Sequence, residues 1–360
     1  MAVATGLAVG REPYPSLARA AVDQAMQRAG LKVAQGVLLF LTSEFARDPL
    51  PSLREAAKAA SCTQVMGCSV PGVFTEQDWV LDAPAAAAMV FGDSISLRTN
   101  AAPRDGDLLL ALAAPSAINI TWLAAPGMRF GGVSGDATGQ GPFSVWQYGR
   151  GTPGGHCEAI LSGTQGAVSA SHGVRILSEP MPVTAVQRYD LLSLEGRPAL
   201  EILQQSYGIV HGGGEALPVH RLMLGIAETP QALICGDYRL IPLVCINEAE
   251  RSVTVATQLE PGQQVFWLLR ETEAALRDLE ETTLRLQERL PRHPDFGLLF
   301  SCQGRGPYFY DGVDRDLELL QSMLPGMPLI GFYGNGEIAP VNGVNELLQY
   351  SAVLGLFSHV

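Results

Sequence analysis

Residues 65–74, VMGCSVPGVF, and residues 329–338, LIGFYGNGEI, share one Gly-x4-Gly spacing. Gly67 and Gly72 match Gly331 and Gly336 at a constant offset of 264 positions. An apolar run and a helix-like segment precede each stretch, the runs being GVLLFLT from residue 36 and FGLLFSC from residue 296. A repeated strand, helix and glycine turn predicts an internally duplicated chain whose equivalent turns face one another across one site.

Composition limits the class of protein. The chain has 360 residues, 47% of them hydrophobic, and a formal net charge of −12 without any basic run. These values predict an ordered globular protein of two or three domains and disfavour nucleic acid or an anionic membrane as a partner. We expect no signal peptide and no membrane span. Six scattered cysteines without a Cys-x2-Cys pair favour reduced thiols in a cytoplasmic protein.

Strand and helix patterns alternate at both ends of the chain around a strand-rich middle. Residues 16–29 and 271–290 carry apolar residues at helical spacing, and each segment precedes one of the two apolar runs. The patterns predict an α+β fold with βα units, in which helices pack outside two mixed sheets in an αββα-like layering. A doubly wound α/β sheet is the alternative. FGGVSGD at 130–136 echoes the glycine turns and is either a third copy or an unrelated turn.

The second copy carries polar residues that the first copy lacks. Ser-Cys-Gln-Gly-Arg at 301–305 follows its first strand, and Tyr333, Asn335 and Glu337 surround its glycine turn. Ligand crevices form where parallel strands end, so this edge is the predicted site. The planar guanidinium of Arg305 suits a ligand carboxylate, and Glu337 suits a ligand amine. The alternative is an internal Arg305–Glu337 ion pair that ties the two loops together.

The chain shows no coherent catalytic set. Cys302 is either a nucleophile whose pKa Arg305 lowers or an inert buried thiol, and no His adjoins it in sequence. The glycine spacing is not that of a P-loop, and the six His residues show no metal-ligand spacing. These features favour binding over turnover and predict no metal and no cofactor.

The motifs resemble those of the FIST family of bacterial sensory domains. LLFSCQGRGPYFY and MPLIGFYGNGEIAPV resemble its C-terminal signature, whereas GCSVPGVF, FGGVSGD and the stretch from GVRILSEP to ALEIL resemble its N-terminal module. The resemblance implies a FIST N-terminal domain over 1–210, a linker or loop over 211–220 and a FIST C-terminal domain over 221–360. The family-characteristic positions are Cys302, Gly304, Arg305, Gly331, Tyr333, Gly336 and Glu337.

The resemblance implies a cytoplasmic, non-enzymatic sensor that binds a small ligand, with amino acids as the family's usual proposal. The expected ligand-binding residues are Cys302, Gly304, Arg305, Tyr333, Asn335, Gly336 and Glu337. The chain carries no kinase, cyclase or chemotaxis module, so we expect a signalling partner protein to read the ligand. It also departs from the family at 346–348, Glu-Leu-Leu, where a His often stands. Two rival hypotheses are a protein-interaction scaffold, because FIST modules also occur in F-box proteins, and a Cys302-dependent enzyme.

Overall fold

A computed structural model describes residues 3–99, 102–103, 106–211, 216–227, 229, 233, 236 and 238–360. The chain forms two compact units, one made of Met1–Ser171 with Leu279–Val360 and the other of His172–Asp278. The second unit is therefore an insertion into the first. This division differs from the predicted boundary at 210–221. Residues 212–215 of the predicted linker lie outside the described residues, and 219–221 form a 3-10 turn.

The first unit opens with thirteen strands, which are β1 (Val3–Val9), β2 (Gly36–Thr42), β3 (Val65–Val70), β4 (Gly72–Thr75), β5 (Trp79–Leu81), β6 (Ala85–Phe91), β7 (Ser96–Arg98), β8 (Leu108–Ala113), β9 (Met128–Val133), β10 (Val145–Gln147), β11 (Arg150–Gly151), β12 (His156–Ser162) and β13 (Thr164–Ser171). The inserted unit contributes β14 (Val174–Ile176), β15 (Met181–Gln187), β16 (Asp190–Leu194), β17 (Arg197–Pro198), β18 (Leu222–Ile226), β19 (Arg239–Asn247), β20 (Ser252–Val255) and β21 (Gln264–Arg270). The chain ends with β22 (Phe296–Cys302), β23 (Leu329–Gly334), β24 (Glu337–Val341), β25 (Val344–Leu348) and β26 (Ala352–His359).

The α-helices of the described residues are α1 (Ser16–Ala29), α2 (Leu50–Ala60), α3 (Ile120–Leu123), α4 (Ala199–His211), α5 (Thr272–Arg289) and α6 (Arg315–Met323). Alanines and Val22 of α1, together with Leu53 of α2, pack in one apolar cluster with β2 and β6. Leu279 and Leu286 of α5 and Leu317 of α6 pack in the same way with β22 and β26. The chain is thus α+β with mixed sheets, as predicted.

The first unit contains three sheets with one strand order. The orders are β1-β6-β2-β3-β10-β11, β7-β12-β8-β9-β24-β25 and β13-β26-β22-β23-β4-β5. In each sheet the third and fourth strands are parallel and the neighbours on either side are antiparallel. The first four strands of each sheet form what we call a module. The three modules are numbered in the order in which the sheets are given above. The sequence pattern indicated two such sheets, because the second module has only the four-residue α3 after β8.

Hairpins link the three modules in a ring. The hairpin β4–β5 leaves the first module and pairs with β23 of the third. In the same way β24–β25 leaves the third module for β9 of the second, and β10–β11 leaves the second for β3 of the first. Each sheet is therefore completed by strands from another module. This exchange couples the folding of the three modules to one another.

One glycine occupies the same place in every module. Gly67, Gly131 and Gly331 lie on β3, β9 and β23, beside the parallel strand of their own module. A Cβ added there would lie 1.7 Å from the Leu39 carbonyl oxygen, 1.9 Å from that of Ala111 and 1.9 Å from that of Leu299. Such distances lie far inside van der Waals contact, so only glycine fits. The glycine match found in the sequence therefore has one steric cause in all three sheets.

The inserted unit is a separate all-antiparallel arrangement. The pairings run β21-β15-β16-β20-β19-β18 and return from β18 to β21, so six strands close on themselves. Closure removes exposed sheet edges among these six strands. Trp267 of β21 and Leu203 of α4 belong to its apolar core. Along the described chain, no helix has the length and apolar character needed to cross a bilayer.

Candidate functional site

The predicted site residues come together at one edge of the third module. Cys302 ends β22, Gly304 and Arg305 follow it, Tyr333 lies in β23, and the turn of Asn335 and Gly336 leads to Glu337 at the start of β24. Because β22 and β23 are parallel, their carboxyl ends lie side by side. The Gln303 amide donates a 2.9 Å hydrogen bond to the Gly334 carbonyl oxygen and joins the two loops.

Arg305 is buried and its guanidinium is bonded to protein groups. Its side chain is 1% exposed. Nε donates to Asp316 Oδ2 at 2.8 Å, Nη2 to Asp316 Oδ1 at 3.3 Å, and Nη1 to the Ser171 carbonyl oxygen at 2.6 Å. This is the two-pronged arginine–carboxylate geometry, formed inside the protein. The guanidinium that was expected to bind a ligand carboxylate therefore binds Asp316. The internal ion pair of Arg305 is likewise formed with Asp316 and not with Glu337, the partner considered in the sequence analysis.

Two tyrosines and a second aspartate extend this buried network. The Tyr310 hydroxyl donates to Asp316 Oδ1 at 2.6 Å, and the Tyr333 hydroxyl donates to Asp314 Oδ2. Asp314 Oδ1 also accepts the Leu317 amide at 2.9 Å and so caps α6. Burial raises the pKa of Asp314 to about 6, with the charge of Asp316 adding to the effect. Burial likewise raises the pKa of the Tyr333 phenol.

Glu337 is a buried carboxyl group without a hydrogen-bond partner. Its side chain is 0% exposed, and neither carboxyl oxygen has a partner among the residues that the structure describes. Burial raises the pKa of Glu337 well above its ordinary value; the Ser351 amide and the charge of Arg305 oppose this rise. An unpartnered buried polar group costs about 1–3 kcal/mol of stability.

The position of Glu337 holds valine in the other two modules. Glu337 pairs with Gly132, the residue after the glycine of the second module. Val145 pairs with Cys68 and Val73 pairs with Phe332, which follow the glycines of the other two modules. Both valines are buried in the apolar core. Ala339 and Val341, which lie on the same face of β24 as Glu337, are buried in that core as well. The third module therefore places an acid where the same scaffold elsewhere buries an aliphatic side chain.

The remaining predicted residues contribute mainly through their backbone. The Cys302 amide donates to the Ser351 carbonyl oxygen at 3.0 Å, and its carbonyl oxygen accepts the amides of Arg305 and Gly306 at 2.7 and 3.1 Å. Cys302 takes part in no disulfide with the other described cysteines and is 8% exposed. The Asn335 amide donates to Val133 of the second module at 3.1 Å. Gly336 has φ of +142°, a conformation that favours glycine.

Asp316, Tyr310 and Ser171 belong to the site although the sequence did not mark them. Asp314 is the N-cap of α6, and an acid such as Asp316 in the first turn of a helix is explained by the helix dipole alone. Ser171 contributes only its carbonyl oxygen, which no side-chain pattern encodes. The signal present in the sequence was the stretch GRGPYFYDGVDRD, in which two tyrosines and three aspartates follow an arginine.

Three surface pockets lie elsewhere in the first unit. Their volumes are about 400, 260 and 370 Å³, and none of the three is lined by a predicted site residue. The largest lies between α6 and the β4–β5 hairpin and is lined by Glu76, Gln321 and Leu324 among others. Among the described residues, no group of three or more His, Cys, Asp or Glu side chains is placed to hold a metal ion.

Comparison with known proteins places the sequence in one family. Residues 35–197 match the FIST N domain and residues 199–340 match the FIST C domain. Uncharacterized proteins of Mycobacterium bovis (strain ATCC BAA-935 / AF2122/97) and Mycobacterium tuberculosis (strain CDC 1551 / Oshkosh) are each 31% identical to the chain over 199 residues, covering 55% of this chain and 52% of each relative. The chain thus spans about half the length of these relatives.

A further relative is F-box only protein 22 of Homo sapiens, which is 34% identical over 78 residues, covering 21% of this chain and 19% of that protein. FIST domains form a family of small-ligand sensory and signal-transduction domains. The two domain matches together cover most of the chain and meet at residues 197–199. The chain therefore belongs to the FIST domain family, as its motifs predicted.

Proposed function

We propose that this chain is a cytoplasmic small-ligand sensor in which Glu337 is the group that responds to the ligand. Its family supports the sensory role, and the described cysteines, which form no disulfide with one another, support a reducing compartment. One observation carries the assignment to Glu337: an unpartnered, buried acid stands where two equivalent positions hold valine. Buried polar groups that cost stability are characteristic of functional sites. We also propose that the three modules arose by repetition of one unit.

A ligand at Glu337 would supply the partner that the carboxyl group lacks. Asn335 and Gly336 form the turn that precedes it, and Tyr333, Cys302, Gly304 and Arg305 form the neighbouring strand ends. Because Glu337 is covered completely, ligand entry requires this turn to move. A partner protein would then read the altered population of open and closed states.

Thermal unfolding in the presence of a panel of amines, amino acids and carboxylic acids tests this proposal. Glu337→Gln keeps the shape of the side chain and removes its charge, whereas Glu318→Gln removes a charge from the exposed face of α6. A compound that raises the Tm of the wild type and of Glu318→Gln, but not of Glu337→Gln, supports the proposal. If no compound discriminates between the two variants, Glu337 is not the ligand-responsive group.

A protein-interaction scaffold is the second candidate, favoured by the tight packing of the glycine turns. A Cβ on Gly72 would lie 2.3 Å from Leu81 Cδ2 and 2.9 Å from Tyr333 Cδ2. The similarity to F-box only protein 22 is a further support. A stoichiometric partner that co-purifies with the ligand-free protein, and equally with Glu337→Gln, would favour the scaffold.

A further inference from the structure

The charges around Glu337 define the chemical class of its ligand, and this inference rests on the proposed function. Arg305 is the cation whose charge acts on both Glu337 and Asp314. Its guanidinium already bonds both oxygens of Asp316 and the Ser171 carbonyl oxygen. A ligand carboxylate would have to displace Asp316 from a buried two-pronged pair. Removing one partner from such a pair is strongly destabilising.

The acids of this cluster outnumber the arginine. Asp314, Asp316 and Glu337 are all buried, and Arg305 neutralises one carboxylate. Asp314 accepts two hydrogen bonds, from the Tyr333 hydroxyl and the Leu317 amide, whereas Glu337 accepts none from the described residues. Uncompensated carboxylates in an interior attract positive charge and protons. The incoming group must therefore be a cation with hydrogen-bond donors.

The packing around Glu337 restricts the size of that cation. A Cβ added to Gly132, its cross-strand partner, would lie 2.6 Å from Phe332 Cζ. A Cβ on Gly334 would lie 2.6 Å from the Val133 carbonyl oxygen, and one on Gly336 would lie 3.0 Å from the Leu348 carbonyl oxygen. The backbone and the Phe332 ring therefore pack closely against the three glycines that pair with Glu337 or precede it. A primary ammonium suits such a site, whereas a quaternary ammonium is larger and has no N–H donor.

We infer that the site at Glu337 binds the head of a primary ammonium ion and does not recognise a ligand carboxylate. The ammonium donates hydrogen bonds to the two carboxyl oxygens that lack partners. The Glu337 proton passes to solvent as the ion pair forms, so binding one cation releases one proton. Because burial raises the pKa of Glu337 and binding releases its proton, the affinity for the cation rises as the pH rises toward that pKa.

Four salts at equal ionic strength test the class of ligand on the intact chain: methylammonium chloride, tetramethylammonium chloride, glycine with sodium chloride, and sodium acetate. We expect methylammonium to raise the Tm of the wild type and of Glu318→Gln, and tetramethylammonium and acetate to leave both unchanged. Glycine should stabilise the protein less than methylammonium does, because Arg305 is already bonded to Asp316 and does not bind the glycine carboxylate. The methylammonium effect should disappear in Glu337→Gln and should need less salt as the pH is raised from 6 to 8.

The outcomes separate this inference from the proposed function. If acetate or glycine stabilises the wild type more than methylammonium does, and Glu337→Gln abolishes the effect, the site binds a ligand but the ammonium assignment is wrong. If methylammonium stabilises Glu337→Gln as much as the wild type, the assignment to this carboxyl group is wrong. If none of the four salts acts through Glu337 and the wider panel also fails, both proposals are wrong.

Discussion

Asp314 and Glu337 give the protein a pH dependence opposite in sign to that of most surface acids. Burial raises the pKa of both above their ordinary values. The folded state therefore binds protons that the unfolded chain has released. The two protonated acids stabilise the folded state fully below the pKa that each has in the unfolded chain. This stabilisation is lost as the pH rises through the pKa that each has in the folded protein.

For Asp314 this window runs from about pH 4 to about pH 6, because burial raises its pKa to about 6. The wild type should lose roughly 3 kcal/mol of unfolding free energy over this window relative to Asp314→Asn. Asparagine keeps an oxygen to cap α6 but does not titrate. Urea unfolding of both proteins at pH 4, 5, 6 and 7 measures the difference. A wild type that gains stability relative to the variant as the pH rises would contradict the buried-acid account.

For single residues, the sequence predicted which side chains lie near one another better than it predicted their hydrogen-bond partners. Arg305 and Glu337 stood out because the second copy carries polar residues that the first copy lacks, and the structure brings their loops together. Their roles depended on Asp316, which lies eleven residues after Arg305 and captures its guanidinium. Asp316 sits at a helix start, where an acid is explained by the helix dipole alone. A local pattern therefore concealed a tertiary ion pair.

At the scale of single elements, the glycine on the fourth strand of each module is the clearest sequence requirement. Gly331→Ala would place a Cβ 1.9 Å from the Leu299 carbonyl oxygen and 2.4 Å from Phe74 Cζ. Both neighbours are held in a buried sheet, so relief requires β22 and β23 to separate. We expect a loss of about 3 kcal/mol or more in unfolding free energy.

Gly151→Ala is the matched control, because a Cβ at this β11 position meets no atom within 4 Å and its φ is not positive. Chemical denaturation of the two variants provides the comparison. Equal stabilities for Gly331→Ala and Gly151→Ala would show that the close approach of β22 and β23 is not a constraint.

The elements also show where prediction from sequence ended. The sequence matched helix α5 to helix α1 by position, and an arginine at the end of each helix makes an equivalent contact. Arg28 of α1 donates to the Thr5 carbonyl oxygen of β1, and Arg289 of α5 donates to the Val168 carbonyl oxygen of β13. The sequence did not clearly predict the second module, because its helix α3 has only one turn and no helix of the described residues lies between β7 and β8. The closed sheet of the inserted unit depends on the pairing of β18 with β21, whose partners run from Leu222 with Leu269 to Ile226 with Val265. Such long-range pairing leaves no local pattern to read.

At the scale of the whole molecule, the exchanged hairpins predict that damage to one module spreads to the other two. Gly131→Ala lies in the second module, where an added Cβ would clash with the Ala111 carbonyl oxygen. β9 pairs with the β24–β25 hairpin, which comes from the third module. The third module in turn pairs with the β4–β5 hairpin, which comes from the first module. We expect amide hydrogen exchange to accelerate in β2, β6, β22 and β26 as well as in β8 and β9.

The inserted unit has its own core and its own closed set of strands, so its amides provide the internal reference. Protection of β15, β16 and β20 should be retained in Gly131→Ala. Loss of protection confined to β8 and β9 would contradict the ring of exchanged hairpins, and equal loss in β15, β16 and β20 would contradict the separate core.

If Glu337 is retained for binding at the expense of stability, its replacement by valine should stabilise the folded protein, and the unfolding free energy of Glu337→Val at pH 7 measures this. Valine is the residue that the equivalent positions 73 and 145 bury in the same core. Removing an unpartnered buried acid in favour of this side chain should raise the unfolding free energy by about 1–3 kcal/mol. A Glu337→Val protein less stable than the wild type would show that the carboxyl group supports the fold and would contradict the account.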